Sequence, residues 1–249
     1  MTSTPLTVRI CHLYPRLFSV AGDRGNLFTL MQRCAWRGIR TSVTEADTGV
    51  VPDFAESDLI LIHGGQDREM TEAARDLTEK AGPLIDAIEE GAAVLAVCAG
   101  YQLLGRYYAP AAGPPLAGLG VLDVVSEGGQ VRSIGHVAVE CDLGTGGKHV
   151  LTGFENHSGR TYLGSSAEPL GRVIAGGGNN GEDGTEGARY KEVYATYLHG
   201  PVLPKNPWLA DLLIARALER RYHDMGPLAT LPDREEAQAQ AAARRLARA

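Results

Sequence analysis

Apolar positions along the chain come in short runs whose period changes. Leu6 to Leu13 (LTVRICHL) alternates and is rich in β-branched residues, which predicts a strand. A loop with Pro15, Gly22 and Gly25 follows. Leu27, Leu30, Met31 and Cys34 then fall at helical spacing, predicting a helix over Asn26 to Arg37 that Gly38 stops. Ile39 to Glu45 alternates again. Asp58 to His63 (DLILIH) and Ala92 to Val97 are continuous apolar runs of the kind a parallel strand buried on both faces requires. Between them, a polar stretch beginning at Asp67 predicts one long helix through about Glu90, with Asp67 as its cap. Gly100 to Tyr107 reads as a short helix.

Strand and helix alternating in this order imply βαβ units: an α/β domain with a mostly parallel sheet, helices on both faces, and chemistry in loops at the carboxyl ends of the strands. After Pro110 the runs VLDVV, HVAVE, KHVLTGF, RVIAG and EVYATYL read as an antiparallel extension of the same domain. Gly176 to Gly187 is too polar and Gly-rich for a regular element and reads as a loop or hairpin tip. Asn206 to Tyr222 reads as a helix, and Asp233 to Ala249, rich in Ala, Gln and Arg, as a solvated one. The expected division is one domain over 6–210 and a C-terminal helical extension over 211–249.

Composition narrows the picture only a little. The 249 residues can bury a sizeable core without a staple. A net charge of −6 disfavours a nucleic-acid partner. Cys11, Cys34, Cys98 and Cys141 are scattered with no CxxC pair, which argues against a disulfide framework or a structural zinc. The start MTSTPLTVRI lacks the pattern of a secretory signal, and no stretch approaches the roughly 20 apolar residues of a membrane span. The expectation is a cytoplasmic protein with no metal and no cofactor.

The densest chemistry lies in AVLAVCAGYQ (Ala93–Gln102). An apolar strand runs into Cys98 and on into a helix, with small residues, Ala96 and Gly100, two positions to either side. This is the layout of a nucleophile elbow, where the turn is too tight for large neighbours and the Cys sits at a helix N-terminus. A cysteine after an apolar strand is otherwise a small buried hydrophobe; the flanking residues favour the elbow. Thiolate attack on a carbonyl generates an oxyanion that needs preorganised N–H donors. Elbow geometry assigns one to Ala99, and the Gly64-Gly65 pair after DLILIH is suited to supply another, from Gly65.

A nucleophilic cysteine needs a base. His199, in TYLHGP at a strand end before a turn, is the first candidate, and His157, in ENHSGRT, the rival. No carboxylate stands beside His199, since Gly200 and Pro201 follow it. Glu155 and Glu192 are candidates for an orienting group, without a specific signal for either, and the third member stays open.

HGG, AVCAGYQLLG, GFENHSGRT and YLHGP, in this order, resemble the glutaminase domain of class I glutamine amidotransferases, and most of all the branch of the cobyric acid and cobyrinic acid diamide synthases. The resemblance runs from about Val8 to Ala210. A finer one, carried by HLYP, GDRGN, AWRGI, GGQDRE, GLGVLD, GNN and YLHGPVLPKNP, is to the small glutaminase subunits of bacterial lipid II isoglutaminyl synthases. It implies a flavodoxin-like domain with Cys98 as nucleophile and His199 as base. It also implies Arg132 as the anchor of the glutamine α-carboxylate, Gln102 as a polar substrate contact, and Asp23, Arg24 and Asn26 as the edge of the site or the partner face. The chain holds no GxxxxGK[ST] for ATP. The resemblance therefore implies a separate MurT-like, Mur-ligase-type subunit that would use the ammonia to amidate the D-glutamate α-carboxyl of lipid II and could complete the site. Three alternatives stay open: a non-catalytic subunit that only binds a partner, a cysteine hydrolase of another substrate on the same fold, and the glutaminase of another synthase such as a cobalamin-type amidase.

Overall fold

The computed structural model describes residues 5–18, 22–144 and 146–248. Residues 1–4, 19–21 of the loop before the first helix, 145, and 249 of the C-terminal tail lie outside them. Strands β1 (Thr7–Leu13), β2 (Arg40–Ala46), β3 (Leu59–Ile62) and β4 (Ala93–Val97) alternate with helices α1 (Arg24–Ala35), α2 (Asp67–Glu79) and α3 (Ala81–Glu89), and α4 (Ala99–Leu104) follows β4. The β-rich half comprises β5 (Tyr107–Ala109), β6 (Leu116–Ala117), β7 (Val124–Cys141), β8 (His149–Leu163), β9 (Gly171–Ala175), β10 (Thr185–Glu186), β11 (Ala188–Tyr190), β12 (Val193–Thr196) and β13 (Leu198–His199). Helices α5 (Pro207–Tyr222) and α6 (Arg234–Ala247) close the chain.

A six-stranded sheet in the order β11-β12-β4-β3-β1-β2 forms the centre, parallel except for β11 at one edge. Because side chains alternate across a strand, the apolar runs divide between two cores. Ile60, Ile62, Val94 and Ala96 face α2, α3 and α4, whereas Leu59, Leu61, Ala93, Leu95 and Val97 face α1 and α5. Burying both faces leaves no polar position in β3 or β4, which explains their unbroken hydrophobicity. Fully burying a side chain such as Leu61 contributes about 1.5–3 kcal/mol.

Three expectations are corrected. The polar stretch after Asp67 forms two helices, not one: the chain turns at Lys80 (φ −92, ψ −3), and Pro83 cannot donate the bond a continuous helix needs. The cap of α2 is Gln66, with Asp67 the first helical residue. The third correction matters more for the site. EVYATYL does not join the antiparallel extension. Its core, β12, lies in the central sheet, parallel to β4 and hydrogen-bonded beside it, with Tyr194 opposite Leu95 and Thr196 opposite Val97. All four residues of β12 are buried, as a central parallel strand demands. The antiparallel extension is the second sheet, dominated by the long β7–β8 hairpin.

Helix α5 runs through position 210 and buries Leu209, Ala210, Leu212, Leu213 and Ile214 against the central sheet. The final helix is tied down rather than free. Arg33, fully buried on α1, pairs with Asp211 and with Asp233 just before α6, and Gln240 donates to the Val150 carbonyl at 2.8 Å. Among the described residues no helix is long and apolar enough to cross a membrane.

Candidate active site

The carboxyl ends of β1, β3, β4 and β12 meet at one edge of the central sheet, and Cys98 stands there between β4 and α4. Its backbone takes φ 50, ψ −100, a conformation that costs a non-glycine residue on the order of 1–3 kcal/mol and persists only where the surroundings impose it. They do so here: the Cys98 N–H donates to the Thr196 carbonyl of β12, and the Gly100 N–H to the His63 carbonyl. A Cβ on Gly100 would lie 2.4 Å from the Ile62 carbonyl oxygen, so only glycine lets α4 sit this close to β3. Cys98 is partly exposed, whereas Cys11, Cys34 and Cys141 are buried. Burial pushes the Cys11 and Cys34 thiols up to about 12 and raises that of Cys141 too, so these three stay protonated and inert.

From β12 the chain continues through Tyr197 into β13, which pairs with β8 and brings His199 to the same edge. His199 Nδ1 donates to Asp23 Oδ2 at 2.8 Å, and both side chains are buried. This is the orienting carboxylate that the residues around His199 do not reveal. Asp23 precedes α1, but its carboxylate makes no cap bond to that helix. The neighbouring residues lock the two segments together: the Leu203 N–H donates to Asn26 Oδ1 at 2.9 Å, and a Cβ on Gly25 would lie 2.4 Å from Pro201. Glu155 is engaged elsewhere, accepting from the Gly177 and Gly178 N–H groups, and Glu192 accepts from the Tyr194 hydroxyl and pairs with Arg216. Burial alone would lower the basicity of His199. The hydrogen bonds and negative charges of Asp23 and Cys98 outweigh burial and hold its pKa up to about 10. The ring is therefore an imidazolium at neutral pH.

His157, the rival base, stacks on Tyr197 at 3.8 Å between ring centroids and bonds the Gly159 carbonyl through Nδ1 at 2.7 Å. Its orientation is fixed by these contacts, and its partners do not include Asp23.

A cavity of about 500 Å³ opens over the elbow, and Cys98, His199, Gln102, Arg132 and Gly65 all line it. Gln102 is buried and donates to the Tyr197 hydroxyl at 3.0 Å, the first link of a chain through Thr161 to Ser126. Gly159 makes room for it, since a Cβ there would lie 2.2 Å from Gln102 Nε2. Arg132 comes from a bulge. Between the pairs Gly128–Gly159 and Ser133–His157, residues 129–132 of β7 face the single Ser158 of β8. Such an insertion re-aims side chains. The guanidinium reaches the cavity, held by the Asn156 carbonyl and Oδ1, each at 3.0 Å. Ala99 begins α4, so its N–H has no partner within the helix. Among the described residues, neither the Ala99 nor the Gly65 N–H is taken by another backbone carbonyl.

Gly64 lies where the side chains of His199, Asp23 and Cys98 converge. A Cβ there would stand 2.7 Å from His199 Cε1, 3.2 Å from Asp23 Oδ2 and 3.5 Å from Cys98 Cβ. Gly64→Ala is therefore expected to displace the imidazole and lower kcat for the proposed cysteine chemistry by about 10²-fold, the cost of an ångström-scale misplacement, with a lower melting temperature as the His199–Asp23 pair is strained. A wild-type kcat in the folded variant would show that this alignment is not required.

A cysteine on a strained elbow, an imidazolium fixed by a carboxylate, and free N–H donors at the edge of a parallel sheet define an enzyme of the class I glutamine amidotransferase type. The chain belongs to the CobB/CobQ-like glutamine amidotransferase family, whose domain model matches residues 9–207. It is 41% identical over 213 residues to the lipid II isoglutaminyl synthase (glutamine-hydrolysing) subunit GatD of Staphylococcus aureus, covering 85% of each chain. It is 38% identical to the subunit of the same name from Streptococcus pneumoniae, over 88% of this chain and 83% of that one. A chain in the structure of PurLQS from Thermotoga maritima shares the fold at a TM-score of 0.52 and 15% identity, over 85% of this chain and 95% of that one.

Proposed function

We propose that this protein is the glutaminase subunit of a lipid II isoglutaminyl synthase. It hydrolyses L-glutamine to L-glutamate and ammonia through a Cys98 thioester. The ammonia passes to a MurT-like, Mur-ligase-type partner that amidates the D-glutamate α-carboxyl of lipid II. The observation that carries the chemistry is the convergence of Cys98, His199 and Asp23 on Gly64 beneath a cavity that also holds Arg132. The lipid II acceptor and the need for a second subunit rest on the names of the relatives, and the Mur-ligase type of that subunit on the sequence resemblance alone.

Arg132 grips the α-carboxylate of glutamine. The Cys98 sulfur attacks the side-chain amide carbon, and the Gly65 and Ala99 N–H groups receive the oxyanion. The imidazolium of His199 gives its proton to the departing nitrogen as the C–N bond breaks, and ammonia leaves a thioester. His199, now neutral, takes a proton from water, and the resulting hydroxide cleaves the thioester to glutamate and free sulfur.

The test is glutamate release from L-glutamine by the purified chain, alone and with its co-expressed Mur-ligase-type partner. Release in the complex, coupled to ATP-dependent amidation of lipid II, is expected. Glutamate release without amidation of lipid II would assign the ammonia to another acceptor. No release in either state would remove the glutaminase reading.

A further inference from the structure

A free α-amino acid carries two charges at one end, and Arg132 answers only one of them. Resting on the glutaminase reading above, the geometry points to Asp67 as the residue that receives the α-ammonium of L-glutamine and so restricts the enzyme to the free amino acid. Of the side chains lining the cavity over Cys98, Asp67 is the one carboxylate among the described residues, set against the guanidiniums of Arg68 and Arg132. A zwitterion entering such a cavity presents its carboxylate to the arginines, and its ammonium then finds its only anionic partner in Asp67. Pairing at this exposed carboxylate favours substrates that carry the α-ammonium over those that lack it.

Asp67 stands at the exposed rim of the cavity, where one contact from the protein interior holds it. The buried Tyr108, at the start of the second sheet, donates its hydroxyl to Asp67 Oδ1 at 3.2 Å. One carboxylate oxygen is thereby anchored, which limits the rotamers open to the other. The rest of the segment is fixed from behind, by the Met70 N–H on the Gln66 carbonyl and by Met70 buried in the core.

The experiment compares L-glutamine with glutaramic acid, which keeps the amide and the carboxylate but lacks the α-ammonium. Ammonia release is measured on the complex with its synthetase partner, for wild type and Asp67→Asn. Wild type should favour glutamine by about 10²-fold or more in kcat/KM. In Asp67→Asn, KM for glutamine should rise at least ~10-fold with kcat nearly kept, while glutaramic acid is turned over as before, so the preference collapses. Tyr108→Phe should give a smaller shift in the same direction. A role of Asp67 confined to the start of α2 would weaken both substrates equally. An unchanged preference in folded Asp67→Asn, judged by its melting curve, would overturn the assignment of Asp67 and leave the glutaminase reading intact. Absence of Cys98-dependent release by wild type would instead remove that reading, and this proposal with it.

Discussion

Cys98→Ala is expected to abolish glutamate release from L-glutamine, lowering kcat by about 10⁵-fold or more, as loss of a nucleophile does in enzymes of this kind. Cys98→Ser should be nearly as inert. The imidazolium of His199, held up to about 10 in pKa, is an acid at neutral pH. A serine hydroxyl is far harder to ionise than a thiol, so the pair that Cys98 forms with His199 is not reproduced in this variant. Both variants should fold, because the backbone bonds that fix the elbow, from the Cys98 N–H to Thr196 and the Gly100 N–H to His63, involve no side chain of residue 98. A third variant separates strain from chemistry. At φ 50 a Cβ is a liability, so Cys98→Gly should be inactive yet more stable than Cys98→Ala by roughly 1 kcal/mol. Thermal melts of the three variants beside glutamate assays decide the matter. Turnover by the alanine variant would eliminate the thioester mechanism.

How much of this was visible in the sequence depends on whether the cause was local. The elbow is local: Ala96, Cys98 and Gly100 sit within five residues, and the glycine at 100 follows from the closeness of α4 to the Ile62 carbonyl. The parallel order of β1 to β4 is legible for the same reason, since two-sided burial writes continuous apolar runs. His199 could be picked as a strand-end residue, but why it lies beside Cys98 could not. That depends on β12 inserting next to β4, whereas the apolar-polar mixture of EVYATYL suggests the antiparallel half. The four buried residues of Val193–Thr196 carry the signal of a central strand, diluted by the polar residues around them. Arg132 is exposed and irregular in backbone, so no periodicity marks it, and only resemblance singles it out. Asp23 was hardest. It lies 176 residues from His199, and pairing at that distance is set by topology. The available clue was its address: GDRGN follows the first strand, and loops at the carboxyl ends of parallel strands meet at one edge.

That carboxylate yields the most discriminating test of whether the chain carries its own triad. Asp23→Asn keeps the volume and still accepts a hydrogen bond from His199 Nδ1, but removes the charge. In the Ser-His-Asp template such a change costs about 10⁴-fold in kcat. With a sulfur nucleophile the expected loss is smaller, about 10²- to 10³-fold, because Cys98 itself helps hold the imidazolium. The pH profile gives a sharper readout than the rate. In wild type the proton that His199 delivers to the leaving nitrogen is retained until pH nears 10, so the alkaline limb of kcat should lie there. Without the charge of Asp23, burial lowers the pKa against less opposition, and that limb moves at least a full unit toward neutrality. Stability follows the same sign. A raised folded-state pKa contributes stability that is complete below pH 6.5, the ordinary value, and is lost as pH climbs toward 10. Asp23→Asn should therefore cost more in melting temperature at pH 6 than at pH 10. Were a carboxylate from the partner the true orienting group, Asp23→Asn in the complex would keep both the wild-type rate and the wild-type alkaline limb. A loss of rate with a shifted limb, in the chain alone and in the complex alike, would establish that the histidine is oriented from within this chain.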